Sequence, residues 1–393
     1  MTLLRILFCA TALSTASIAA EPKIPAFEAV EVDSKIEIGY GVAVADVDGD
    51  GRKDIVLADK SVFVWYQNPT WKKFILAEKV TPIDHVCLAA ADIDGDGKAE
   101  IAVGAGWNPG DTVNSGSVHF LIAPKDHREL WTPIALPHEP TVHRMRWVRH
   151  GTAGFVLVVV PLHGRGNQAG KGEGVKTLAY TKPSDPRTPW KTEVIDRSLH
   201  MTHNFDPMQW DSDVESELLI ASKEGLFVLN RSGAGWEKQR LGGLDGVGSG
   251  EVRAGRLPKG GKFIATVEPM HGNSVVVYTP PKAKSQSEWT RRVVDDTVVD
   301  GHALATGDLA RTGSDQIVVG WRAMNRPGVK VGIRLYSPLN PEGTEWKTSL
   351  VDDNAMACED LCLADLNNDG RLDIVAAGRA TKNVKIYWNQ GVK

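Results

Sequence analysis

Three copies of one acidic, glycine-rich stretch constrain the fold of this chain more than any other feature. They occupy residues 45–56, 91–101 and 364–375, and the best-preserved copies read Ala-Asp-x-Asp-Gly-Asp-Gly. A pattern that recurs at intervals of tens of residues is typical of repeat arrays and propellers, in which each unit packs against the next. The repeat therefore decides the fold class before any local structure is considered.

The same stretches predict metal-binding turns. Oxygen-bearing side chains stand at alternate positions, and the glycines supply the left-handed backbone that a tight turn needs. Hard oxygen ligands at this spacing suit calcium, and a tight acidic turn that holds no ion is the alternative. The flanking apolar runs are too short for helices, which favours strand-loop-strand over an EF-hand. The predicted calcium ligands are Asp46, Asp48, Asp50 and Asp54; Asp92, Asp94, Asp96 and Glu100; and Asp365, Asn367, Asp369 and Asp373.

A second repeat divides the chain into seven units. A tryptophan followed by an alternating strand recurs at positions 71, 131, 190, 236, 289 and 346, and we interpret these segments as outermost strands. Short apolar runs separated by Gly, Asn, Asp and Pro turns lie between them, and four short strands per unit are typical of propeller blades. The third to sixth units have degenerate acidic turns, in which we expect little or no calcium.

The two ends of the chain complement each other. The seventh unit has no fourth strand, whereas residues 27–32 form an unassigned strand before the first unit. Pairing these segments would remove the exposed sheet edges of an open array. We therefore predict an all-β fold, a seven-bladed β-propeller closed by an N-terminal outer strand, with residues 21–393 as a single domain.

Bulk properties limit the location and the partners. Residues 1–20 have a basic start, a short apolar core and small residues at their end, which is typical of a secretory signal peptide. No later segment approaches the length of a membrane span, so we expect an exported protein, periplasmic or secreted. The net charge of −4 and the scattered basic residues argue against a nucleic-acid partner. No disulfide is assigned to Cys87, Cys358 and Cys362.

The propeller topology predicts a functional mouth. In such a fold the first strand of each blade lines the central channel, so the residues just before these strands surround one opening. Counting back from the acidic turns, with one residue of slippage, gives Tyr40, His85, His143, His203, Glu251, His302 and Glu359. The loops between second and third strands open on the same face and add Trp107, His163, His271, Trp321, Arg322 and Arg379.

The equivalent positions of these residues in the repeat favour a role in ligand binding or catalysis. A single strand-end histidine often does no more than bond a backbone carbonyl, and Trp107 and Trp321 could equally be packing residues. Most histidines of the chain nevertheless fall at these two equivalent positions, so we predict a site for a polar ligand. A His and Glu cluster on the axis could also hold a divalent transition metal such as zinc or manganese. The chain has no HExxH, Walker or GxSxG motif, which argues against serine hydrolases and nucleotide enzymes.

The acidic turns resemble the FG-GAP and VCBS repeats of secreted propellers and integrin α-chains. Other segments resemble the propeller part of the aldos-2-ulose dehydratase family, namely residues 200–205, 251–253, 268–278, 300–304 and 318–322. Members of that family eliminate water from keto-sugars such as anhydrofructose, and related propellers include polysaccharide lyases. The resemblance implies a lyase that acts on a carbohydrate.

The resemblance also implies roles for the mouth residues. In an elimination, a metal or Arg322 would polarise the carbonyl, a neutral histidine would take the proton, and a second acid would protonate the departing oxygen. His203, His271 and His302 would then serve as metal ligands or bases, with His143, His163 and Tyr40 as acid or base candidates. Substrate-binding roles would fall to His85, Trp107, Glu251, Trp321, Glu359 and Arg379. The alternatives are a propeller that binds glycan or protein without catalysis, and a purely structural calcium-dependent module.

Overall fold

A computed structural model describes residues 23–392 apart from 152–153, 212, 234, 245, 283–286 and 325. The predicted signal peptide at 1–20 lies outside these residues. The described chain forms 28 β-strands and one short 3₁₀ helix, Pro258–Gly260. No helix in the described part of the chain is long and apolar enough to cross a membrane.

The strands form seven four-stranded antiparallel sheets. The first strand of each blade lies at the axis: β2 (Gly41–Ala45), β6 (Cys87–Ala91), β10 (Val142–Arg149), β14 (Thr202–Met208), β18 (Val252–Arg256), β22 (Gly301–Gly307) and β26 (Cys358–Ala364). Each contacts the first strand of the next blade, and β26 contacts β2, so the seven strands close a ring. One axial cavity is lined by residues from all seven. The predicted seven-bladed β-propeller is confirmed.

The remaining strands complete the blades outward from this ring. The second strands are β3 (Asp54–Ala58), β7 (Glu100–Ala105), β11 (Phe155–Pro161), β15 (Glu217–Ser222), β19 (Lys262–Glu268), β23 (Gln316–Trp321) and β27 (Asp373–Gly378). The third strands are β4 (Val62–Gln67), β8 (Ser117–Ile122), β12 (Thr177–Thr181), β16 (Gly225–Ser232), β20 (Ser274–Thr279), β24 (Gly332–Pro338) and β28 (Asn383–Val392). The outer strands are β1 (Pro25–Asp33), β5 (Lys72–Glu78), β9 (Thr132–Leu136), β13 (Lys191–Asp196), β17 (Gly235–Gly242), β21 (Thr290–Asp295) and β25 (Trp346–Asp353).

Closure is made by the first strand of the chain. β1 pairs antiparallel with β28, with Phe27 opposite Asn389 and Val30 opposite Ile386. β1 thus becomes the outer strand of the seventh blade, whose other strands come from the C-terminal end. The predicted closure is confirmed.

The core lies between the blades. Both faces of a middle strand are covered by neighbouring sheets, and every residue of β3 is buried. One apolar cluster joins Phe63 and Trp65 of the first blade to Ile101 and Val103 of the second. Strands buried on both faces need continuous apolar runs, which explains sequences such as that of residues 55–58.

Candidate functional site

Four of the predicted mouth residues are placed by the same backbone irregularity. His143, His203, His302 and Glu359 each lie in the first strand of a blade, at a point where the register with the second strand shifts by one residue. Such β-bulges turn the extra residue out of the regular alternation and are frequent beside active sites. The bulges turn four polar side chains toward the mouth. The residues that follow each bulge pair regularly with the second strand and line the channel.

Three histidines converge at this mouth. His203 and His271 approach with their Nε2 atoms 2.8 Å apart. One ring nitrogen from each of His203, His271 and His302 lies within 4.8 Å of the others. His271 comes from the loop after β19 and has a positive φ of 55°. A left-handed conformation is unfavourable for a residue with a side chain, and it is often found at functional sites.

Backbone carbonyls orient the buried rings. The Nδ1 atom of His143 donates to the carbonyl of His203 at 2.8 Å, and that of His203 donates to Gly250 at 3.0 Å. The Nδ1 atom of His302 donates to the carbonyl of Glu359 at 2.6 Å. Because a carbonyl only accepts, each of these rings carries its proton on Nδ1, which makes Nε2 an acceptor; in His203 this atom faces Nε2 of His271.

The electrostatics keep the imidazoles neutral. Burial, together with the charges of nearby Arg144 or Arg322, holds the pKa of His143, His203 and His302 well below the usual range for histidine. Partial burial, followed by the neighbouring His203 and Arg322, lowers the pKa of His271. Neutral imidazoles are the form that binds metal ions or accepts protons.

An ion-pair network supports the cluster from one side. Arg322 contacts the carboxylate of Glu359, which also accepts from Arg379 at 3.0 Å. The Nε atom of Arg322 lies 3.2 Å from Asp300, and one of its terminal nitrogens lies 3.4 Å from Nδ1 of His271. Arg322 thus brings a fixed positive charge next to the histidines.

The floor of the mouth is formed by Glu251. Its side chain is 1% exposed and lies 3.2 Å from Nδ1 of His203. One carboxylate oxygen accepts from the amide of Asn204 at 2.5 Å, and the other has no hydrogen bond from any described residue. Burial raises the pKa of this carboxyl group. Glu251 therefore supports the histidine from below and is too deeply buried to bind a substrate directly.

The rim combines aromatic rings with charge. The Trp107 ring stacks on His143 with centroids 4.9 Å apart. The hydroxyl of Tyr40 donates to Asp84 at 2.7 Å, and Arg379 lies 5.4 Å from the centre of the Tyr40 ring. Burial and the Asp84 carboxylate raise the pKa of Tyr40. The phenol therefore stays protonated and holds its proton in the hydrogen bond to Asp84.

Two hollows border the cluster. One, of about 430 Å³, is lined by Arg322, Arg379 and Asp300. The other, of about 360 Å³, is lined by His271, Asp300 and the loop at 296–299. Asp300 joins the two hollows. The predictions from sequence omitted Asp300 and Asp84, although each lies within two residues of a predicted histidine.

Three predicted residues lie apart from the cluster. Trp321 is 3% exposed in the apolar core, and its ring nitrogen donates to the carbonyl of Lys330 at 2.7 Å. The prediction of substrate contact therefore does not fit Trp321, which is a packing residue. His163 is 9% exposed and makes none of the ring contacts that join His143, His203, His271 and His302 within the described structure.

His85 also departs from the predicted position. Its ring is fully buried and stacks on Phe63 at 4.2 Å, inside the first blades and away from the mouth. The preceding residue, Asp84, takes the expected place at the rim. The one-residue slippage in counting back from the turn accounts for the difference.

The burial of His85 predicts an acid-sensitive contribution to stability. Burial lowers its pKa to about 4, below the ordinary value of 6.5. The unfolded chain therefore takes up a proton at higher pH than the folded chain, so the stabilisation is complete above pH 6.5 and is lost as the pH falls toward 4. The loss should reach about 3 kcal/mol. Urea unfolding of His85→Phe across this range should give a flatter pH profile than the wild type.

A surface histidine provides the control for this measurement. His138 is exposed, and among the described residues its ring bonds the carbonyl of Glu139 alone. The free energy of unfolding of His138→Phe should change with pH as that of the wild type does. If the free energy of unfolding of His85→Phe falls with pH as steeply as that of the wild type, His85 is not the source of the acid sensitivity.

The acidic turns lie at the other end of the blades. They join first to second strands, whereas the mouth residues lie at or just before the starts of first strands, or follow second strands. Carboxylate oxygens of Asp46, Asp48 and Asp50 lie within 4.8 Å of one another, as do those of Asp92, Asp94 and Asp96. In the third copy Asp365 accepts from the amide of Gly370 at 2.8 Å, and the Asn367 amide donates to Asp369 at 3.1 Å.

The last acidic residue of each turn has a different role from the predicted one. Asp54 is fully buried, and its two oxygens accept from the amides of Val47 and Asn68. Glu100 accepts from the amide of Ile93, and Asp373 accepts from Leu366 and Asn389. Burial raises the pKa of Asp54 and of Glu100 to about 7. The predicted metal-ligand role does not fit these three groups, which fasten the turn to the blade.

A further acidic cluster occurs where little calcium was expected. Asp211, Asp213 and Glu217 of the fourth blade also place carboxylate oxygens within 4.8 Å of one another. The turn lacks the glycine pattern of the other copies, which is why the sequence suggested a degenerate loop.

Comparisons with known structures define the class. The chain resembles the structure of BBS1N in complex with ARL6DN, with a TM-score of 0.55 and 14% identity over 94% of this chain and 99% of that one. It also resembles the rhamnogalacturonan lyase YesW, with a TM-score of 0.52 and 14% identity over 93% of this chain and 76% of that one. The models of the FG-GAP-like repeat and the FG-GAP repeat match residues 46–103 and 88–121. The protein is thus a seven-bladed propeller with FG-GAP repeats.

A more specific match covers the middle of the chain. The model of the aldos-2-ulose dehydratase β-propeller domain matches residues 115–281. The aldos-2-ulose dehydratase of Phanerodontia chrysosporium is 24% identical over 282 residues, which cover 65% of this chain and 31% of that protein. The chain therefore spans about a third of the length of this relative. The resemblance inferred from the sequence is confirmed, and the matched domain contains His143, His203, Glu251 and His271.

Proposed function

We propose that the chain is a carbohydrate lyase or dehydratase that carries out β-elimination on a keto-sugar or oxidised glycoside at the propeller mouth. The observation that carries the proposal is the convergence of three neutral imidazoles beside the guanidinium of Arg322. Elimination next to a carbonyl needs a base and a positive charge at the developing enolate oxygen, and both are present at the mouth. The match to a dehydratase propeller over residues 115–281, which include His143, His203 and His271, supports this class of reaction.

The proton donor and acceptor are assigned from hydrogen bonding. His143 keeps its Nδ1 proton on a carbonyl, so its Nε2 atom can accept the proton from the carbon next to the carbonyl. The imidazolium formed on His143 can return this proton to the departing hydroxyl, which leaves as water, because the raised pKa of Tyr40 and its hydrogen bond to Asp84 make the phenol a poor proton donor. The electrons of the broken C–H bond form the C=C bond as the C–O bond breaks. Arg322 stabilises the negative charge that develops on the oxygen.

A divalent transition metal fits the other three rings. Two imidazole Nε2 atoms 2.8 Å apart repel unless a proton or a cation lies between their lone pairs. His203, His271 and His302 would hold the ion, and the carbonyls of Gly250 and Glu359 already orient two of these rings through Nδ1, as is usual for metal-binding histidines. Such a metal would act as a Lewis acid toward the substrate carbonyl.

The proposal is tested by combining elemental analysis with an elimination assay. The purified protein is analysed by mass spectrometry before and after dialysis against a mild chelator, and is incubated with keto-sugars such as anhydrofructose. We expect about one transition metal per chain, and a new ultraviolet absorbance from the enone product. Sugar binding without any new absorbance would instead favour a propeller that binds glycans without catalysis.

We also propose that the acidic turns of the first, second and seventh blades bind structural calcium. Asp94→Ala should lower the melting temperature more in calcium than in chelator, because the ion stabilises only the folded state. The difference should be roughly 3 kcal/mol at a calcium concentration 100-fold above the dissociation constant. Thermal melting in both buffers measures it.

The control for this prediction is Asp185→Ala. Asp185 accepts one local amide bond, from Arg187 at 3.0 Å, as Asp94 does from Asp96 at 3.3 Å, but belongs to no carboxylate cluster. The control should lose the same small stability in both buffers. If Asp94→Ala behaves in the same way, no calcium binds in the second blade.

A further inference from the structure

The axial channel below the mouth contains three arginines. A cavity of about 610 Å³ runs between the seven first strands, and Arg144, Arg146 and Arg253 line it. Glu251 separates this cavity from the histidine cluster, since it lies 3.2 Å from His203 and 3.9 Å from Arg144. Lys53, next to an acidic turn, also lines the cavity, which places its open end at the turn face.

The guanidinium groups have few partners within the protein. The side chain of Arg144 is 4% exposed, yet its Nε atom and one terminal nitrogen have no hydrogen-bond partner among the described residues. Arg146 and Arg253 each donate to the carbonyl of the residue before them, Met145 at 2.8 Å and Val252 at 2.6 Å. These local bonds leave most of the N–H groups directed at the cavity.

The carboxylates of Glu251, Asp206 and Asp360 interact electrostatically with these arginines, but none of them forms a close hydrogen-bonded pair with one among the described residues. The nearest carboxylate oxygens to Arg144 and Arg253 belong to Glu251 and Asp206, both at 3.9 Å. Arg146 forms no ion pair within 4.0 Å in the described part of the chain. Arg291, by comparison, lies 2.8 Å from Glu268. Buried charge without a close partner is unfavourable, so the channel is suited to a negatively charged ligand.

The channel carboxylates are bound to the backbone instead. Asp360 accepts from the amide of Val42 at 2.9 Å, and Asp206 accepts from the amide of Ala254 at 3.2 Å. Burial raises the pKa of both groups, and the nearby arginines act in the opposite direction. The hydroxyl of Thr306 likewise bonds the backbone, because it donates to the carbonyl of Ala254.

We propose that the axial channel binds one tetrahedral oxyanion, a phosphate or sulfate group, between Arg144, Arg146 and Arg253. Guanidinium forks donate paired N–H groups to oxyanions, and a tetrahedral anion has enough oxygens to accept from three of them at once. The ligand enters from the turn face, so the site is distinct from the mouth and does not depend on the proposed elimination. The group is either a free inorganic anion or part of a larger solute.

Calorimetry and thermal melting with inorganic phosphate and sulfate test the site. Both anions should raise the melting temperature saturably, beyond the effect of chloride at equal ionic strength. Arg146→Met and Arg253→Met should each weaken phosphate binding at least tenfold. Arg187→Met, which removes a guanidinium that is 63% exposed at the surface, should leave it unchanged. Melting without anion shows whether the variants are folded, and Arg146→Lys, which keeps the charge but loses the fork, should bind with intermediate affinity.

A sugar phosphate distinguishes a free inorganic anion from a phosphate group carried on a larger solute. If glucose 6-phosphate binds more tightly than inorganic phosphate, the ligand carries its phosphate on a larger solute; equal or weaker binding indicates the free anion. The proposal is overturned if phosphate and sulfate act no more strongly than chloride. It is also overturned if folded Arg146→Met and Arg253→Met bind phosphate as the wild type does.

Discussion

Replacing His271 with alanine is expected to reduce elimination of water from a keto-sugar by roughly 10³-fold. The variant should also lose its transition metal, because one of the three converging ring nitrogens is removed. His271 lies on a loop, and its side chain is 41% exposed, so the melting temperature should change little. Steady-state kinetics, metal analysis and thermal melting on one preparation show whether the variant has lost its active site or has failed to fold.

Two further variants make this result decisive. His302→Ala removes another of the three rings and should abolish turnover as well, although its burial adds a cost in stability. His138→Ala removes an exposed histidine outside the cluster and should leave activity and metal content unchanged. Activity retained in both His271→Ala and His302→Ala would exclude the proposed site.

Removal of the closing strand is expected to have the largest effect on stability. A chain that begins at residue 36 lacks β1 and exposes the edge of β28 in the seventh blade. It also loses Asp33, which accepts from Tyr66 at 2.8 Å and pairs with Lys73. With seven residue pairs lost between β1 and β28 and about 1 kcal/mol for the backbone hydrogen bond of each pair, the loss should be roughly 7 kcal/mol. The melting temperature should fall by roughly 10 °C.

The matched control is a chain that begins at residue 23. It keeps the whole of β1 and should melt as the longer chain does. Size-exclusion chromatography adds a second measurement, because an unpaired strand edge favours association between molecules. If the two chains melt at the same temperature and remain monomeric, β1 does not close the propeller.

Sequence reasoning was most effective where the repeat itself carries the information. Acidic turns recur in three units and tryptophan-led strands in six, so the number of blades and the missing fourth strand of the last blade can be counted along the chain. Topology then assigns each loop to one face or the other. Five of the mouth residues, His143, His203, His271, His302 and Arg322, were found in this way.

Register was the main source of error. His85 and Asp84 differ by one position, and only the position at the rim reaches the mouth. Asp54 and Asp50 belong to the same acidic turn, but Asp54 is buried against backbone amides while Asp50 faces the other turn carboxylates. A pattern of residue types does not reveal whether a side chain faces a ligand, a backbone amide or the core.

The sequence by itself determined the propeller, its closure and the face that carries the polar residues, because these follow from local strand and turn signals repeated along the chain. Only the tertiary structure decided which side chains meet. The bulges that turn His143, His203 and His302 toward one another depend on pairing between strands, and the arginines of the axial channel come from two blades, the third and the fifth. Distances between such residues are set by ring closure, and no local segment encodes them.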